Sequence, residues 1–136
     1  ILWLIFITSR IIYKKQKEIA IFTFNNDTFV KEIHNRLKNY PEGKNILTEK
    51  EWDNLVDKII HLFPEFIDTL HDLPFKLSSY EFQVSILIKT QFTPKKISRL
   101  TNHTDASVSM TRARLYKKLT NNNGRASDWD KFIHSI

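Results

Sequence analysis

Seven lysine and arginine residues are concentrated between Thr93 and Leu119, where the only carboxylate is that of Asp105. These cations are Lys95, Lys96, Arg99, Arg112, Arg114, Lys117 and Lys118. Acidic and basic residues are equal in number over the rest of the chain, so this segment supplies the whole formal net charge of +6. A charge excess confined to one segment indicates a polyanionic partner.

The elements that must position these cations are two short helices joined by a tight turn. Thr93 followed by a proline is typical of a helix N-cap with proline in the first turn. The apolar pattern breaks at Asn102, and Thr104 then predicts a second N-cap, with Asp105 favouring the positive end of the helix dipole. The segment is therefore predicted to be a helix-turn-helix motif with residues 104–118 as its recognition helix.

One face of the predicted recognition helix is apolar, and the opposite face carries Ser109, Met110, Ala113, Arg114 and Lys117. Side chains of small or medium size let a helix approach base edges closely, so Ser109 and Met110 are the first candidates for base reading, followed by Ala113 and Arg114. The candidates for phosphate contacts are Lys95, Lys96, Arg99, Thr104, Arg112, Lys117 and Lys118. The alternative is an ordinary solvated helix face, because the same geometry occurs in proteins that bind no DNA.

The segments 92–101 and 107–119 resemble the C-terminal DNA-binding domain of LuxR-type regulators, and residues 77–84 resemble the opening helix of that domain. The closer resemblance is to a bacterial group that joins an extracytoplasmic tetratricopeptide-repeat sensor, one membrane helix and a cytoplasmic helix-turn-helix domain. The closing segment 128–135 is also similar to that group. The resemblance covers about residues 47–136, and the run from Arg112 to Leu119 is its most specific part.

The resemblance implies that Ser109, Met110 and Ala113 face the groove and that Val108 is buried. The chain departs from the usual LuxR pattern at Ser109 and Ala113, where lysine is common, and at Asn102, where glycine is common. These departures leave the base preference open. Palindromic DNA sites read by a homodimer are usual for such modules.

Apolar residues of the last helix, around Trp129 and Ile133, are candidates for the contact that would form this homodimer. Packing of the two side chains onto their own domain is the preferred interpretation.

The first twelve residues are strongly apolar, and the stretch ends in a basic and aromatic flank: Arg10, Tyr13, Lys14, Lys15 and Lys17. Twelve residues are too few to span a bilayer, which takes about 20. The chain begins without an initiator methionine, so we interpret residues 1–20 as the end of a membrane helix that places the remainder in the cytoplasm, within a single-pass inner-membrane protein. The alternative is an amphipathic or core helix of a soluble protein.

Helical spacing and capping patterns continue through the rest of the chain, which is predicted to be all-α. Asp27 predicts a cap before an apolar stripe, and capping boxes are predicted at Thr48 with Glu51, at Ser78 with Glu81, and at Ser127 with Asp130. We divide the chain into the membrane end and its flank (1–20), a helical connector and loop (21–46), helices that pack on the DNA-binding domain (47–76), and the helix-turn-helix domain itself (77–136).

No constellation of residues predicts an enzyme. The five histidines lie far apart, there is no glycine-rich phosphate loop, and cysteine is absent. Asp68, His71 and Asp72 share a helix face, but they are more typical of a polar helix end than of a metal site. We therefore expect no catalytic residue, cofactor, metal ion or small-molecule substrate.

The predicted function is that of a sequence-specific transcriptional regulator that binds double-stranded DNA and forms the cytoplasmic output domain of a membrane-anchored sensor. The alternative is a helical adaptor whose basic face meets an acidic protein or a membrane surface.

Overall fold

Eight α-helices and no β-strand make up the computed structural model, which describes every residue from 1 to 136. In chain order the helices are α1 (Leu2–Asn26), α2 (Thr28–Asn39), α3 (Glu49–Leu62), α4 (Pro64–His71), α5 (Ser79–Lys89), α6 (Pro94–Thr101), α7 (Asp105–Thr120) and α8 (Ala126–Ser135). The prediction of an all-α fold is confirmed.

Side chains cap several helices at the positions that the sequence predicted. The carboxylate of Asp27 accepts hydrogen bonds from two backbone N–H groups in the first turn of α2, at 2.8 and 3.2 Å. Complete capping boxes are formed by Thr48 with Glu51 at the start of α3 and by Ser78 with Glu81 at the start of α5. Each cap contributes about 1 kcal/mol, so the caps define helix boundaries more than overall stability.

The predicted capping box at Ser127 and Asp130 is wrong. Helix α8 begins at Ala126, and the carboxylate of Asp128 accepts a hydrogen bond from the backbone N–H of Arg125 at 2.8 Å. The Asp130 carboxylate instead accepts hydrogen bonds from the guanidinium of Arg112.

A single cluster of buried apolar side chains runs from Phe24 in α1 to Ile133 in α8. Helix α5 lies near its centre, because every residue from 84 to 90 is buried. Helix α7 packs on α5, α6 and α8, and the indole N–H of Trp129 in α8 donates to Ser85 Oγ in α5 at 3.3 Å. Trp129 and Ile133 are completely buried, which confirms their preferred interpretation as part of their own domain.

Helix α2, which we predicted as part of a connector, also belongs to this core through Val30, Ile33 and Leu37. The guanidinium of Arg36 links α2 to α3 through an ion pair to Glu51 at 2.7 Å, and a longer ion pair at 3.4 Å joins Arg36 to Glu32 within α2. The loop predicted after α2 is present at residues 40–48.

Helix α1 contacts the rest of the chain mainly through its C-terminal half. Phe24 is buried, and Ala20 and Ile21 pack against the core. The large apolar side chains nearer its start are exposed: Ile1, Leu2, Trp3, Leu4, Ile5, Phe6, Ile11 and Ile12. No helix of the chain, α1 included, is both long enough and apolar enough to cross a membrane.

Candidate nucleic-acid interface

Helices α6 and α7 meet in the tight turn that the sequence predicted. Thr93 caps α6 by accepting from the backbone N–H of Lys96 at 3.3 Å, and Thr104 caps α7 by accepting from that of Ser107 at 3.0 Å. Between the two helices, Asn102 adopts the left-handed backbone conformation with φ of 55°. Asparagine tolerates this conformation better than most residues, which explains why the turn can form with asparagine at this position in place of glycine.

Side-chain contacts on both sides hold the turn in place. Ser98 Oγ lies 2.6 Å from Asp105 Oδ1, which ties the end of α6 to the start of α7. The ring of His103 stacks on that of Tyr80 with centroids 3.7 Å apart, and Tyr80 Oη lies 3.2 Å from Ser107 Oγ. Helix α5 therefore positions the start of α7 through one tyrosine.

The outer face of α7 carries the candidate base-reading residues. Ser109, Met110 and Arg114 are exposed, while Ala113 is half-buried. Val108 and Leu115 on the opposite face are completely buried, so α7 is fixed in rotation about its axis. Because the inner face is locked, the outer residues form a surface of defined shape.

Lys95 on α6 and Lys117 on α7 are exposed cations beside this surface. The five ion pairs of the chain involve neither of them, nor Arg114. These three side chains can therefore bind a polyanion without first breaking an ion pair within the chain. Thr104, also a phosphate candidate, is exposed, and its hydroxyl accepts the capping hydrogen bond of α7.

The phosphate contact predicted for Arg112 does not fit its position in the structure. Its side chain is 9% exposed, and its guanidinium forms a two-pronged ion pair with Asp130 of α8. The Nε to Oδ1 distance is 2.9 Å. In this pair, two guanidinium nitrogens of Arg112 donate to the two carboxylate oxygens of Asp130. Arg112 therefore joins α7 to α8, and its guanidinium is not available to DNA.

Arg99 also has an internal role that the sequence did not predict. Its guanidinium donates to the carbonyl oxygens of Leu37 at 2.5 Å, Tyr40 at 3.1 Å and Pro41 at 3.4 Å. The Leu37 carbonyl lies in the last turn of α2, where helix geometry leaves it without a backbone partner, and the other two carbonyls belong to the residues that follow the helix. Arg99 therefore fastens the loop after α2 to α6.

Lys96 and Lys118 have partners within the chain and remain partly accessible. Lys96 Nζ lies 3.2 Å from His34 Nδ1, and the His34 ring stacks on Phe92. Burial, reinforced by the nearby Lys96 ammonium, lowers the pKa of His34 below its ordinary value.

Lys118 Nζ forms an ion pair with Glu81 at 3.2 Å. Burial opposes the ionisation of Glu81, but the Ser78 backbone N–H and the Lys118 ammonium outweigh it and lower the pKa of this carboxyl.

A polar groove of about 370 Å³ lies between the loop after α2 and the turn, and no apolar residue lines it. The loop contributes Glu42, Gly43 and Lys44, and Asn45 Oδ1 accepts a hydrogen bond from Asn102 Nδ2 at 2.8 Å. Sequence reasoning missed this neighbour, because the two segments are separated by more than fifty residues and share no local pattern.

Comparison with known proteins gave no match to a protein family, to a curated protein or to a solved structure. The LuxR-type resemblance therefore stays a prediction from the residues quoted for it. No group of three or more histidine, aspartate or glutamate side chains is arranged to hold a metal ion.

Proposed function

We propose that the chain is a sequence-specific transcriptional regulator whose helix α7 enters the major groove of double-stranded DNA. The observation that supports this most directly is the free outer face of α7, placed beside a rigid helix-turn-helix turn. Its exposed residues combine short and apolar side chains with the cations Arg114 and Lys117. This mixture suits base edges in the centre and phosphates at the border.

Each exposed residue then has a specific role. Ser109 and Met110 approach the base edges, and the apolar Met110, which is 59% exposed, suits the methyl group of thymine. Arg114 donates to a guanine or to a phosphate. Lys95 and Lys117 contact phosphates on the two sides of the groove, with Lys96 and Lys118 adding charge near them.

We also propose that the start of α1 is anchored in a membrane and that the DNA-binding part lies in the cytoplasm. The proposal is supported by the exposed apolar side chains that surround α1 before residue 13. The stretch ends in a basic flank of Arg10, Lys14, Lys15 and Lys17, as at the cytoplasmic ends of membrane helices.

Selection from a pool of random duplexes, with the whole chain at two salt concentrations, tests the DNA-binding proposal. We expect a shared sequence motif and an affinity that falls with salt, with a logarithmic slope of about 0.9 for each phosphate neutralised. Salt-sensitive binding without any motif would contradict the proposal and would favour an adaptor with a basic face.

Two substitutions locate the reading helix. Met110→Ala should change the selected motif at one position, because a mismatched contact costs about 1–3 kcal/mol. Lys131→Ala on α8 is the matched control, since Lys131 is exposed and lies outside the candidate interface. An unchanged motif in Met110→Ala and in a Ser109→Leu variant would show that α7 does not read bases.

A further inference from the structure

Three isoleucines of α1 recur at intervals of seven residues: Ile5, Ile12 and Ile19. A second series with the same interval contains Ile1, Thr8, Lys15 and Phe22. The two series alternate with spacings of three and four residues, which is the pattern of the a and d positions of a coiled coil. We call these seven residues the α1 seam.

The α1 seam lies on the side of the helix opposite the core, with Phe22 at the border of a groove that α1 shares with α5, α6 and α8. The side of α1 that packs on the core carries Ala20 and Phe24. Successive helical residues are rotated by about 100°, so Ile19 and Phe22 lie roughly opposite to these two. They are 62% and 69% exposed, and Ile5 and Ile12 are 57% and 53% exposed.

We infer that the α1 seam pairs with the same seam of a second copy of this chain, in a parallel two-stranded coiled coil. β-branched residues at the a positions favour two parallel strands, and Ile5, Ile12 and Ile19 occupy all three a positions before Asn26. The single lysine in the seam, Lys15, can lay its aliphatic stem along the seam while its ammonium reaches water.

The available area is sufficient for a specific dimer. Each apolar side chain of this size that packs in the seam loses roughly 60–120 Å² of accessible surface. The surface is taken from water at Ile19 and Phe22 and from lipid before residue 13, where van der Waals packing between helices replaces the hydrophobic effect. The apolar seam residues and the flanking Leu4 and Ile11 would together bury on the order of 1,200 Å² in two chains, which exceeds the roughly 1,000 Å² expected of a specific interface.

A second copy is the partner that this surface fits best. The large exposed apolar side chains outside α1 are Ile60 and Met110, so the rest of the chain offers no comparable apolar strip. A seven-residue repeat is self-complementary when two identical helices lie in register. Trp129 and Ile133 of α8, the other candidates for a contact between two copies, are buried in their own domain, which leaves α1 as the dimer contact.

Disulfide cross-linking tests the seam directly, because the chain has no cysteine of its own. Ile12→Cys and Ile19→Cys should each give a covalent dimer under mild oxidation, since equivalent a positions face each other in a parallel coil. Lys14→Cys is the control, as Lys14 is exposed on the same helix but lies outside the seam. The whole chain is used in mild detergent micelles, and we expect at least tenfold less dimer for the control.

Light scattering on the same preparations measures the mass of the protein part. We expect twice 16.2 kDa for the unmodified chain and a single chain mass for the Ile19→Glu, Phe22→Glu double variant. Both sites are exposed, so helical content should be unchanged by circular dichroism. A monomeric unmodified chain, equal cross-linking at all three positions, or a dimer that survives the double substitution would each overturn the inference. None of these measurements involves DNA, so their outcome is independent of the proposed DNA binding, and the mild detergent takes the place of the membrane proposed around the start of α1.

Discussion

Two arginines of α7 that are two positions apart, Arg112 and Arg114, have different surroundings, so substitutions at them can distinguish effects on stability from effects on binding. The guanidinium of Arg112 is buried against Asp130, whereas Arg114 is exposed and belongs to no ion pair of the chain. The same residue type therefore serves the domain in one case and is available to a partner in the other. A substitution of Arg112 should therefore lower stability and leave DNA affinity nearly unchanged, whereas a substitution of Arg114 should lower DNA affinity and leave stability nearly unchanged.

Replacing Arg112 with methionine should lower the free energy of unfolding by about 3 kcal/mol. The loss arises because the half-buried carboxylate of Asp130 remains without its partner, which costs more than the pair contributes. Urea unfolding measures the loss, and the affinity of the folded protein for its selected DNA should change less than about twofold.

Arg114→Met is the matched control for this experiment. An exposed substitution away from caps and core should change stability by less than about 0.5 kcal/mol. Its DNA affinity should fall by about tenfold, which corresponds to roughly 1.4 kcal/mol. If Arg112→Met weakened DNA binding of the folded protein and Arg114→Met did not, the assignment of the two arginines would be reversed.

At the scale of elements, the helix-turn-helix turn depends on Asn102 in its left-handed conformation. Asn102→Ala should lower the free energy of unfolding by about 1 kcal/mol, because a β-carbon without a compensating polar group is strained at positive φ. Asn102→Gly should stay within about 0.5 kcal/mol of the parent, because glycine adopts this conformation without steric cost. Thermal unfolding of both variants measures the difference.

Asn45→Ala separates the backbone effect from the side-chain effect at this turn. It removes the exposed hydrogen bond from Asn102 to the loop after α2 and leaves the positive φ in place. A loss below about 0.5 kcal/mol is expected for this variant. Equal losses in Asn102→Ala and Asn102→Gly would assign the cost to the hydrogen bond instead of the backbone.

Local patterns predicted the helices and most of their caps because the groups involved lie within one turn of each other. The cap at Thr48 needs only Glu51 three residues later, and both are visible in the sequence. The start of α8 was placed wrongly because the sequence offers two acidic residues, Asp128 and Asp130, two positions apart. The choice between them is made by Arg112, which pairs with Asp130 from another helix.

The residues of the candidate interface were likewise predictable where their position depends on local helical periodicity, and not where it depends on contacts between distant segments. Helical periodicity places Ser109 and Met110 on the outer face of α7, where the structure has them exposed. Periodicity carried no information about Arg99, because its carbonyl partners lie about sixty residues earlier in the chain. Charge alone therefore gave too many candidates for phosphate contacts. Arg99 and Arg112 drop out of that set because their guanidinium groups bind partners within the fold.

At the scale of the whole molecule, four helices meet around Lys89 of α5. Its ammonium donates to the backbone oxygen of Ile136 after α8 at 2.6 Å and lies 5.3 Å from the centre of the Phe66 ring in α4. Lys17 of α1 adds a like charge nearby. Burial, reinforced by Lys17, lowers the pKa of Lys89 from 10.5 to about 8. The charged form of Lys89 therefore destabilises the folded state at neutral pH.

The stability of the whole chain should consequently rise with pH above about pH 8. The lowered pKa means that the unfolded chain holds more protons than the folded one between about pH 8 and 10.5, so raising the pH favours the folded state. Between pH 8 and 9.5 the gain should approach about 2 kcal/mol in urea unfolding, at 1.36 kcal/mol for each unit of difference. Lys89→Met should be more stable at pH 7 and should not show the rise, whereas Lys131→Met, which removes an exposed lysine, should retain it. The same slope in both variants would mean that another group, and not the ammonium at the junction of the four helices, controls the pH dependence.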